Sequence, residues 1–302
     1  MRIGSSRLGR TFADKVEGFR RLEADGFASA WLPNIFEHDT MSVIVAAGAV
    51  TQRVTLGVDV VPTYSRHPIT MAQQALSAQA ATGGRFVLGV GLSHQVVIEN
   101  HFGQDFAKPV RHMREYLTVL GRLLTGEQVD YDGEVFPVRG AQLRVGDAEP
   151  PPVLVAALGP QMLRLTGRLA EGTVTWLAGA RYLEEVVVPT IGQAAAAAGR
   201  PDPRIVVGLP IALTNDVGAT TERIARAYRF YGDLPSYQRV IRGSGAEGPA
   251  GVSLIGDEAL LERELRRLKE IGVTELIVTP EGHDRETRDR TYEWAKSLAP
   301  TF

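Results

Sequence analysis

Two neighbouring stretches indicate the fold of this chain: VTLGVDVVPTYSRHP at residues 54–68 and GGRFVLGVGLSHQ at residues 83–95. Each contains a short apolar strand, Val54–Val61 in the first and Phe86–Gly91 in the second, with a helical run over Ile69–Ala81 between them. A strand, a helix and a strand of these lengths form a βαβ unit with two parallel strands. Ligands bind beyond the carboxyl ends of such strands. The polar residues that follow both strands are therefore expected on one face.

An apolar strand followed by a helical segment recurs along the whole chain. The expected strands are Arg2–Ser5, Phe27–Pro33, Val54–Val61, Phe86–Gly91, Val153–Ala157, Thr173–Leu177, Arg204–Leu213 and Glu275–Thr279. Eight βα units in a chain of 302 residues fit an α/β fold of the (β/α)8 TIM-barrel type. The rival is a doubly wound sheet, which needs a glycine-rich turn after its first strand. Residues 4–9 match that turn poorly, so the barrel is favoured.

No change of composition divides the chain, so residues 1–302 are predicted to form a single barrel domain. Irregular insertions are expected near residues 93–108, 126–150 and 232–256. In the second of these, Asp132-Gly133 lies between alternating residues and predicts a β-hairpin. The first is expected to be a long loop, and long loops in compact domains are often functional.

The composition limits the classes of partner. The formal net charge of −2 favours neither nucleic acid nor an anionic membrane surface as a partner. The chain has no cysteine, which excludes disulfides, thiol catalysis and thiolate metal sites. No signal segment or membrane span is apparent, so a cytoplasmic location is expected. Neighbouring residues Glu37, His38 and Asp39 would not converge on one ion, so no metal site is predicted.

Several motifs together resemble the bacterial luciferase-like superfamily. They are YSRHP at residues 64–68, GRFVLGVG at 84–91, AALGPQML at 156–163 and AEG at 170–172, and they occur in the expected order over nearly the whole chain. Within that superfamily, GLSH at residues 91–94 and AALGPQML resemble the branch that uses coenzyme F420, a deazaflavin. Relatives that use FMN share the same barrel, so FMN is the alternative cofactor.

The resemblance implies a homodimeric barrel that holds a flavin-type ring at its carboxyl face. It also implies a non-proline cis peptide between Asp59 and Val60, whose bulge would brace one face of the ring and leave the other for a small-molecule substrate. The amino end of the helix after Gly159 suits a phosphate, because free amides at helix amino ends bind anions. The alternative is an ordinary βα turn. The expected cofactor-binding residues are Asn34, Asp59, Val60, Val61, Gly91, Ser93, Ala157, Leu158, Gly159, Pro160, Gln161 and Met162.

His94 is the candidate catalytic residue. It follows the fourth strand, where relatives that use F420 often carry a glutamate near the reactive ring carbon. A histidine with its ordinary pKa could protonate the anion that hydride addition leaves on a substrate. The alternative is a loop histidine bonded to a carbonyl. Asn34 is a second departure, because many relatives carry aspartate there.

Phe36, Tyr64 and Trp176 are the candidate substrate-pocket residues, although Phe36 and Trp176 would also suit simple packing. Three functions follow from these residues. The leading one is an oxidoreductase that transfers hydride between F420 and a small organic molecule, by reduction of an activated C=C, C=N or carbonyl group. The second is an FMN-dependent monooxygenase. The third is a barrel that binds a flavin or deazaflavin without turnover.

Overall fold

Eight parallel strands close into a barrel in the computed structural model, which describes residues 1–300. The strands are β1 (Arg2–Ser5), β2 (Ser29–Leu32), β3 (Thr55–Val58), β4 (Phe86–Gly91), β5 (Val153–Val155), β6 (Gly172–Trp176), β7 (Arg204–Leu213) and β8 (Glu275–Pro280). Each strand pairs in parallel with the next, and β8 pairs with β1, which closes the ring. The predicted (β/α)8 fold is confirmed. Residues 301–302, which belong to the predicted domain, lie outside the described residues.

Helices follow the strands and cover the outside of the barrel. The principal ones are Phe12–Ala24, Thr40–Gly48, Pro68–Ala81, Pro109–Leu124, Pro160–Leu169, Val188–Ala197, Val217–Ala227, Glu258–Ile271 and Arg285–Leu298. Thr11 and Asp14 form a capping box at the start of the first helix. Proline occupies the first position of three of these helices, where its missing N–H breaks no helical bond. No helix within residues 1–300 is long and apolar enough to cross a membrane.

The insertions contain more regular structure than predicted. Residues 93–108 include the helix Gln95–Phe102, which ends at Gly103 in a left-handed conformation with φ 62°. Residues 232–256 include the helix Pro235–Gly243, a 3-10 turn at Pro249–Val252 and a short strand that pairs with β7. Both segments were expected to be irregular, and that expectation is wrong. The local helices are short and each buries only one or two side chains, and the glycine, proline and serine content of residues 232–256 favoured an irregular segment.

The predicted hairpin is confirmed, because Val129–Tyr131 and Val138–Ala141 pair antiparallel. The buried carboxylate of Glu115 accepts backbone N–H bonds from Glu134, Val135 and Phe136 at 2.8–3.3 Å. These bonds attach the hairpin loop to the helix Pro109–Leu124. A short helix at Ala180–Tyr182 and a π-helical turn at Leu183–Val187 also precede the helix Val188–Ala197.

A buried polar cluster closes the amino-terminal end of the barrel. The carboxylate of Glu275 accepts hydrogen bonds from Ser29 Oγ at 2.6 Å and Trp31 Nε1 at 2.8 Å, and it pairs with Arg204 at 3.2 Å. A Cβ atom on Gly57 would lie 2.3 Å from the Trp31 ring, so glycine makes room for the indole. Because this end is filled, a ligand site is expected at the carboxyl-terminal mouth.

Candidate active site

The carboxyl ends of β3 and β4 lie side by side at the barrel mouth. β3 is interrupted after Val58, and Val61–Pro62 resumes the parallel pairing beside Val90–Gly91. The strand Val54–Val61 was predicted without this break. The peptide bond between Asp59 and Val60 is cis, which confirms the geometry that the family resemblance implied.

Val60 lies against two glycines of β4. A Cβ atom on Gly91 would lie 2.5 Å from Val60 Cγ2, and one on Gly89 would lie 2.9 Å from Val60 Cγ1 and 2.0 Å from the Val58 carbonyl oxygen. Real Cβ atoms do not approach other atoms this closely, so glycine is required at both positions for Val60 to sit where it does. Val60 also packs on the buried apolar layer inside the barrel. We call Val60, Gly89 and Gly91 the apolar platform.

The Oδ1 atom of the half-buried Asp59 carboxyl is inaccessible to solvent and has no hydrogen-bond partner. Burial raises the pKa of Asp59 to about 8, against a smaller opposing effect of its own backbone N–H. Desolvation disfavours the charged form, and no cation among the described residues offsets it. At pH 7 the carboxyl group is therefore mainly protonated.

Four aromatic residues between residues 228 and 237 cover one side of the mouth. We call Tyr228, Phe230, Tyr231 and Tyr237 the aromatic wall. The His94 ring lies 5.6–6.0 Å from the rings of Phe230, Tyr231 and Tyr237, each in an edge-on arrangement. The Trp176 ring lies 5.5 Å from that of Tyr228 and 6.4 Å from that of Tyr231. The wall therefore contacts two predicted site residues, His94 after β4 and Trp176 at the end of β6.

Burial at the aromatic wall also shifts the pKa values of titratable side chains at the mouth. Burial lowers the pKa of His94 below its ordinary value, so the imidazole is mainly neutral at pH 7. The pKa of Tyr231 is raised, first by burial and then by the charge that Asp59 would carry. The second effect shows that the Asp59 carboxyl and the Tyr231 hydroxyl share one environment. Trp176 Nε1 is also buried without a hydrogen-bond partner.

Sequence reasoning missed the aromatic wall. Its segment reads YRFYGDLPSY over residues 228–237, and the density of aromatic residues was the available signal. The glycine and proline in that segment instead favoured an irregular loop. Each aromatic side chain buries a large area, which explains how the short helical segment at residues 228–237 can pack over the mouth.

Tyr64 lies in a different aromatic group from Trp176. Its ring stacks on His112 at 3.9 Å and on Phe106 at 5.3 Å, and its buried hydroxyl has no hydrogen-bond partner. His112 Nε2 in turn lies 2.9 Å from Thr63 Oγ1. Tyr64 therefore packs against the segment 93–108 and the helix Pro109–Leu124.

Phe36 and Asn34 lie on the outer rim of the mouth. Phe36 is 71% exposed and stacks on His101 at 5.2 Å and on Phe102 at 6.4 Å. Asn34 Oδ1 accepts a hydrogen bond of 3.4 Å from the backbone N–H of Thr40, at the start of a helix. A ligand that contacts the amide oxygen of Asn34 would therefore share that oxygen with the Thr40 N–H.

The amino end of the helix Pro160–Leu169 adjoins the apolar platform. Ala156, just after β5, would lie 3.2 Å from a Cβ atom on Gly91. The helix starts after Gly159 without a side-chain cap, which leaves the backbone N–H groups of Gln161 and Met162 without helical partners. The Arg239 guanidinium lies 3.4 Å from the position that a Cβ atom on Gly159 would take. Free amides and a nearby cation suit an anion.

The other residues predicted in this segment contribute backbone or packing. The side chains of Ala157 and Met162 belong to the buried core between the barrel and its helices. Leu158 offers its carbonyl oxygen to the Tyr182 hydroxyl at 2.8 Å. Ser93, at the end of β4, adopts a left-handed backbone conformation with φ 59°.

A family model described as luciferase-like monooxygenase matches residues 2–300. The chain belongs to this family. Among its relatives, the F420-dependent glucose-6-phosphate dehydrogenase of Gordonia bronchialis is 27% identical over 291 residues, which cover 86% of this chain and 82% of the relative.

Solved structures of the luciferase-like fold superimpose over the full barrel. An F420-dependent secondary alcohol dehydrogenase, solved with an F420–acetone adduct, has a TM-score of 0.81 at 20% identity and covers 99% of this chain and 98% of its own. The EDTA monooxygenase of Chelativorans sp. BNC1 has a TM-score of 0.79 at 15% identity and covers 100% of this chain and 93% of its own. At these identities the likeness establishes the shared fold.

In this luciferase-like barrel, one helix links the two parts of the mouth. Tyr237 and Arg239 both lie on Pro235–Gly243, where Tyr237 contacts His94 and Arg239 approaches Gly159. The mouth thus combines an apolar platform, a neutral acid, an aromatic wall and an anion-suited helix end. A planar redox ring with a phosphate-bearing tail matches this combination of groups.

Proposed function

We propose that this protein is an oxidoreductase that transfers hydride between coenzyme F420 and a small organic substrate. The observation that carries the proposal is the arrangement of the apolar platform beside the amino end of Pro160–Leu169 at one barrel mouth. The similarity to an F420-dependent dehydrogenase over most of both chains favours the deazaflavin as the cofactor.

The residues present fit such a cofactor. The glycines at 89 and 91 leave the platform free of side chains other than Val60, which suits a flat ring. The buried Nε1 of Trp176 and Oδ1 of Asp59 have no partner within the chain, which suits polar atoms of a ligand. Arg239 and the free amides after Gly159 suit a phosphate.

The chain would hold the cofactor through three groups of residues. These are the platform with its neighbours Asp59, Val60, Val61, Gly91 and Ser93, the segment Ala157, Leu158, Gly159, Pro160, Gln161 and Met162, and the rim residue Asn34. The bound cofactor would supply the hydride, and the protein would supply binding, orientation and exclusion of water. Tyr64, Phe36 and Trp176 remain the predicted substrate-pocket residues.

The reaction we propose is reduction of an activated C=C, C=N or carbonyl group. The side chains at the mouth favour a small substrate with apolar and aromatic character, since Trp176 and the aromatic wall present large apolar faces. A homodimer is part of the proposal on the family resemblance alone, and light scattering at several protein concentrations would test it.

The experiment that tests the cofactor is a titration of the purified protein with F420 and with FMN, followed by the fluorescence or absorbance of each ring. We expect tighter binding of F420. A clear preference for FMN would overturn the proposal and support the second candidate, an FMN-dependent monooxygenase. The description of the family as luciferase-like monooxygenase is the reason to test that candidate.

Turnover separates an enzyme from a binding protein. Reduced F420 is mixed with the protein and a panel of activated enones, imines and ketones, and its oxidation is followed by absorbance. We expect oxidation that depends on both protein and substrate. Binding of F420 without any turnover across the panel would support the non-catalytic barrel instead.

A further inference from the structure

We propose that the hydroxyl groups of Ser6 and Thr279 together bind the oxygen of a carbonyl substrate. We call these two side chains the hydroxyl pair. The inference rests on the proposed function, because it gives the substrate the side of the mouth that faces the apolar platform. It narrows the substrate class to molecules that carry a carbonyl oxygen.

The hydroxyl pair lies across the barrel from the apolar platform. β8 and β4 are separated by three strands in either direction around the ring, and β1 adjoins β8. The interior of an eight-stranded barrel is narrow enough for one small ligand to reach both walls. A ring that rests on Val60 with one face therefore turns its other face, and the substrate on it, toward β8 and β1.

The alternation of side chains along a strand places the hydroxyl pair inside the barrel. Ile277 belongs to the buried apolar layer of the interior, so Thr279, two residues further along β8, faces the same way. Gly4 pairs with Ile277, and a Cβ atom on it would lie 3.3 Å from Trp31 Cδ1 in that layer. Ser6 is the next inward position after Gly4. The pair thus lies one level above the apolar layer, on the mouth side.

The exposure of Thr279 shows that the mouth extends to the hydroxyl pair. Its neighbours Val278 and Pro280 are buried, whereas Thr279 itself is half-buried. Because Thr279 points into the barrel, the solvent that it contacts lies in the mouth. Ser6 is half-buried as well, and so is Val60 on the opposite wall. Both walls are therefore accessible to a ligand.

The hydrogen bond within the pair leaves one donor unused. Each hydroxyl has one hydrogen and two acceptor lone pairs. Ser6 Oγ and Thr279 Oγ1 lie 2.8 Å apart and share one hydrogen, and either oxygen can be the donor. Neither hydroxyl makes another hydrogen bond among residues 1–300, so the second hydrogen has no acceptor in the described chain.

A carbonyl oxygen is the complement of this free donor, because it accepts hydrogen bonds and does not donate them. The remaining lone pairs of the same hydroxyls can accept the O–H of the alcohol that carbonyl reduction forms. A protonated imine has no lone pair on its nitrogen for the donor. The pair therefore favours a carbonyl compound over an imine.

An aromatic face borders the hydroxyl pair on the same half of the mouth. A Cβ atom on Gly208 would lie 2.9 Å from Trp176 Cε3, so the indole covers β7 at this position. Gly208 pairs with Ile277 on β8, one level below Thr279. A carbonyl compound with an apolar body would thus meet a donor for its oxygen and an aromatic surface for its carbon atoms.

Two ligands of the same shape test the hydroxyl pair in the wild-type protein. Acetophenone carries a carbonyl oxygen on an aromatic body, and α-methylstyrene has a CH₂ group in place of that oxygen. Both are titrated by calorimetry into protein saturated with oxidised F420, which cannot donate a hydride. We expect acetophenone to bind at least about tenfold more tightly, because α-methylstyrene would leave the desolvated hydroxyl without an acceptor.

Removal of the hydroxyl groups should abolish this preference. Ser6→Ala and Thr279→Val each leave one hydroxyl whose hydrogen is then free, so each alone should weaken acetophenone binding by less than about threefold. The double variant has no donor, and its loss of about tenfold or more should exceed the product of the single effects. F420 affinity should not change, because the pair lies across the mouth from the platform.

Thr175→Val is the matched control for the loss of a threonine hydroxyl from a barrel strand. Thr175 lies on β6 between Trp176 and Val174 of the inner layer, so its side chain points outward to the helices. Its buried hydroxyl has no hydrogen-bond partner, so the substitution breaks no bond. The control should keep the wild-type affinity for both ligands.

Infrared difference spectroscopy reports the hydrogen bond to the ligand directly. Acetophenone labelled with a heavy carbon isotope at its carbonyl is bound to the protein with oxidised F420. A hydrogen bond weakens the C=O bond, so the carbonyl band should lie at higher wavenumber in the double variant than in wild type. Thr175→Val should keep the wild-type band. A purely structural role of the pair would weaken binding without moving the band.

The outcomes distinguish this inference from the proposed function. If F420 does not bind, the proposed function fails and the inference fails with it. If F420 binds but acetophenone binds no more tightly than α-methylstyrene, the hydroxyl pair is refuted while the function stands. The same holds if the double variant keeps the wild-type preference and the wild-type carbonyl band.

Discussion

Replacement of Gly91 by alanine tests whether the apolar platform organises the mouth. The added Cβ atom would lie 2.5 Å from Val60 Cγ2 and 3.2 Å from Ala156 Cβ. Valine is branched at Cβ and has few alternative rotamers, so Val60 cannot rotate freely out of the way. We expect Val60 and the adjoining backbone to move into the space above the platform.

The size of the effect follows from overpacking. Forcing an extra methyl group into a well-packed site typically costs about 1–3 kcal/mol. Gly91→Ala should therefore lower the free energy of unfolding in urea by that amount. If the displaced valine enters the ring site, F420 affinity should also fall by about tenfold or more, since tenfold corresponds to about 1.4 kcal/mol.

Two further variants make the test sharp. Gly121→Ala is the matched control, because a Cβ atom there meets nothing within 4 Å and the residue lies inside the helix Pro109–Leu124. It should stabilise the protein by about 0.5–1 kcal/mol and leave F420 affinity unchanged. Val60→Ala removes the clashing methyl groups, so the double variant with Gly91→Ala should recover F420 affinity relative to Gly91→Ala alone.

Gly91→Ala with wild-type stability and wild-type F420 affinity would refute the platform as an organising element. A double variant whose two effects simply add would show that Val60 is not the residue that conflicts with the new methyl group. Either result can be read from urea unfolding followed by circular dichroism, together with the fluorescence titration of F420.

Three other predictions concern residues outside the platform. Arg239→Ala should weaken F420 binding by up to about fivefold, an effect of about 1 kcal/mol for an exposed charge. The difference in F420 affinity between wild type and Arg239→Ala should shrink as the salt concentration rises. Arg242→Ala is the control in the same titrations. Glu275→Gln should lower unfolding stability by about 1–3 kcal/mol without changing F420 affinity, because it weakens the cluster at the opposite end of the barrel. The pKa of Glu23 is lowered, since backbone N–H bonds from residues 52–54 outweigh burial. Its contribution to stability is therefore present above its unfolded pKa and lost as the pH falls through the lower folded value, so Glu23→Gln should show a flatter acid unfolding profile.

The barrel was predictable because strands buried on both faces leave a strong signal. Phe86–Gly91 and Arg204–Leu213 occur in the structure with the bounds expected from sequence. The start of the helix Pro109–Leu124 also has a sequence signal, since proline is favoured at the first helical position. Shorter strands such as β2 and β5 were predicted a few residues too long, because flanking apolar residues continue into the loops.

The insertions 93–108 and 232–256 were less predictable than the barrel, because their structure depends on tertiary contacts. The helix Pro235–Gly243 buries only two residues of its own, and it is held by aromatic contacts to residues distant in the sequence. The glycines and prolines around this short helix favoured a loop, and the partners of its aromatic side chains cannot be read from the segment itself. The same contacts determine the environment of His94, whose neutral state could not be read from its position after β4.

The two ends of the barrel interior differ in how their buried polar groups are satisfied. At the amino end, the carboxylate of Glu275 is hydrogen-bonded by Ser29 and Trp31 and paired with Arg204, so the polar cluster is complete within the chain. At the carboxyl end, buried polar atoms of Asp59 and Trp176 have no partner. Both environments are desolvated, and an unpaired buried polar atom costs more than a paired one. The incomplete end therefore costs folding stability, and a ligand that hydrogen-bonds to these atoms would recover that free energy on binding.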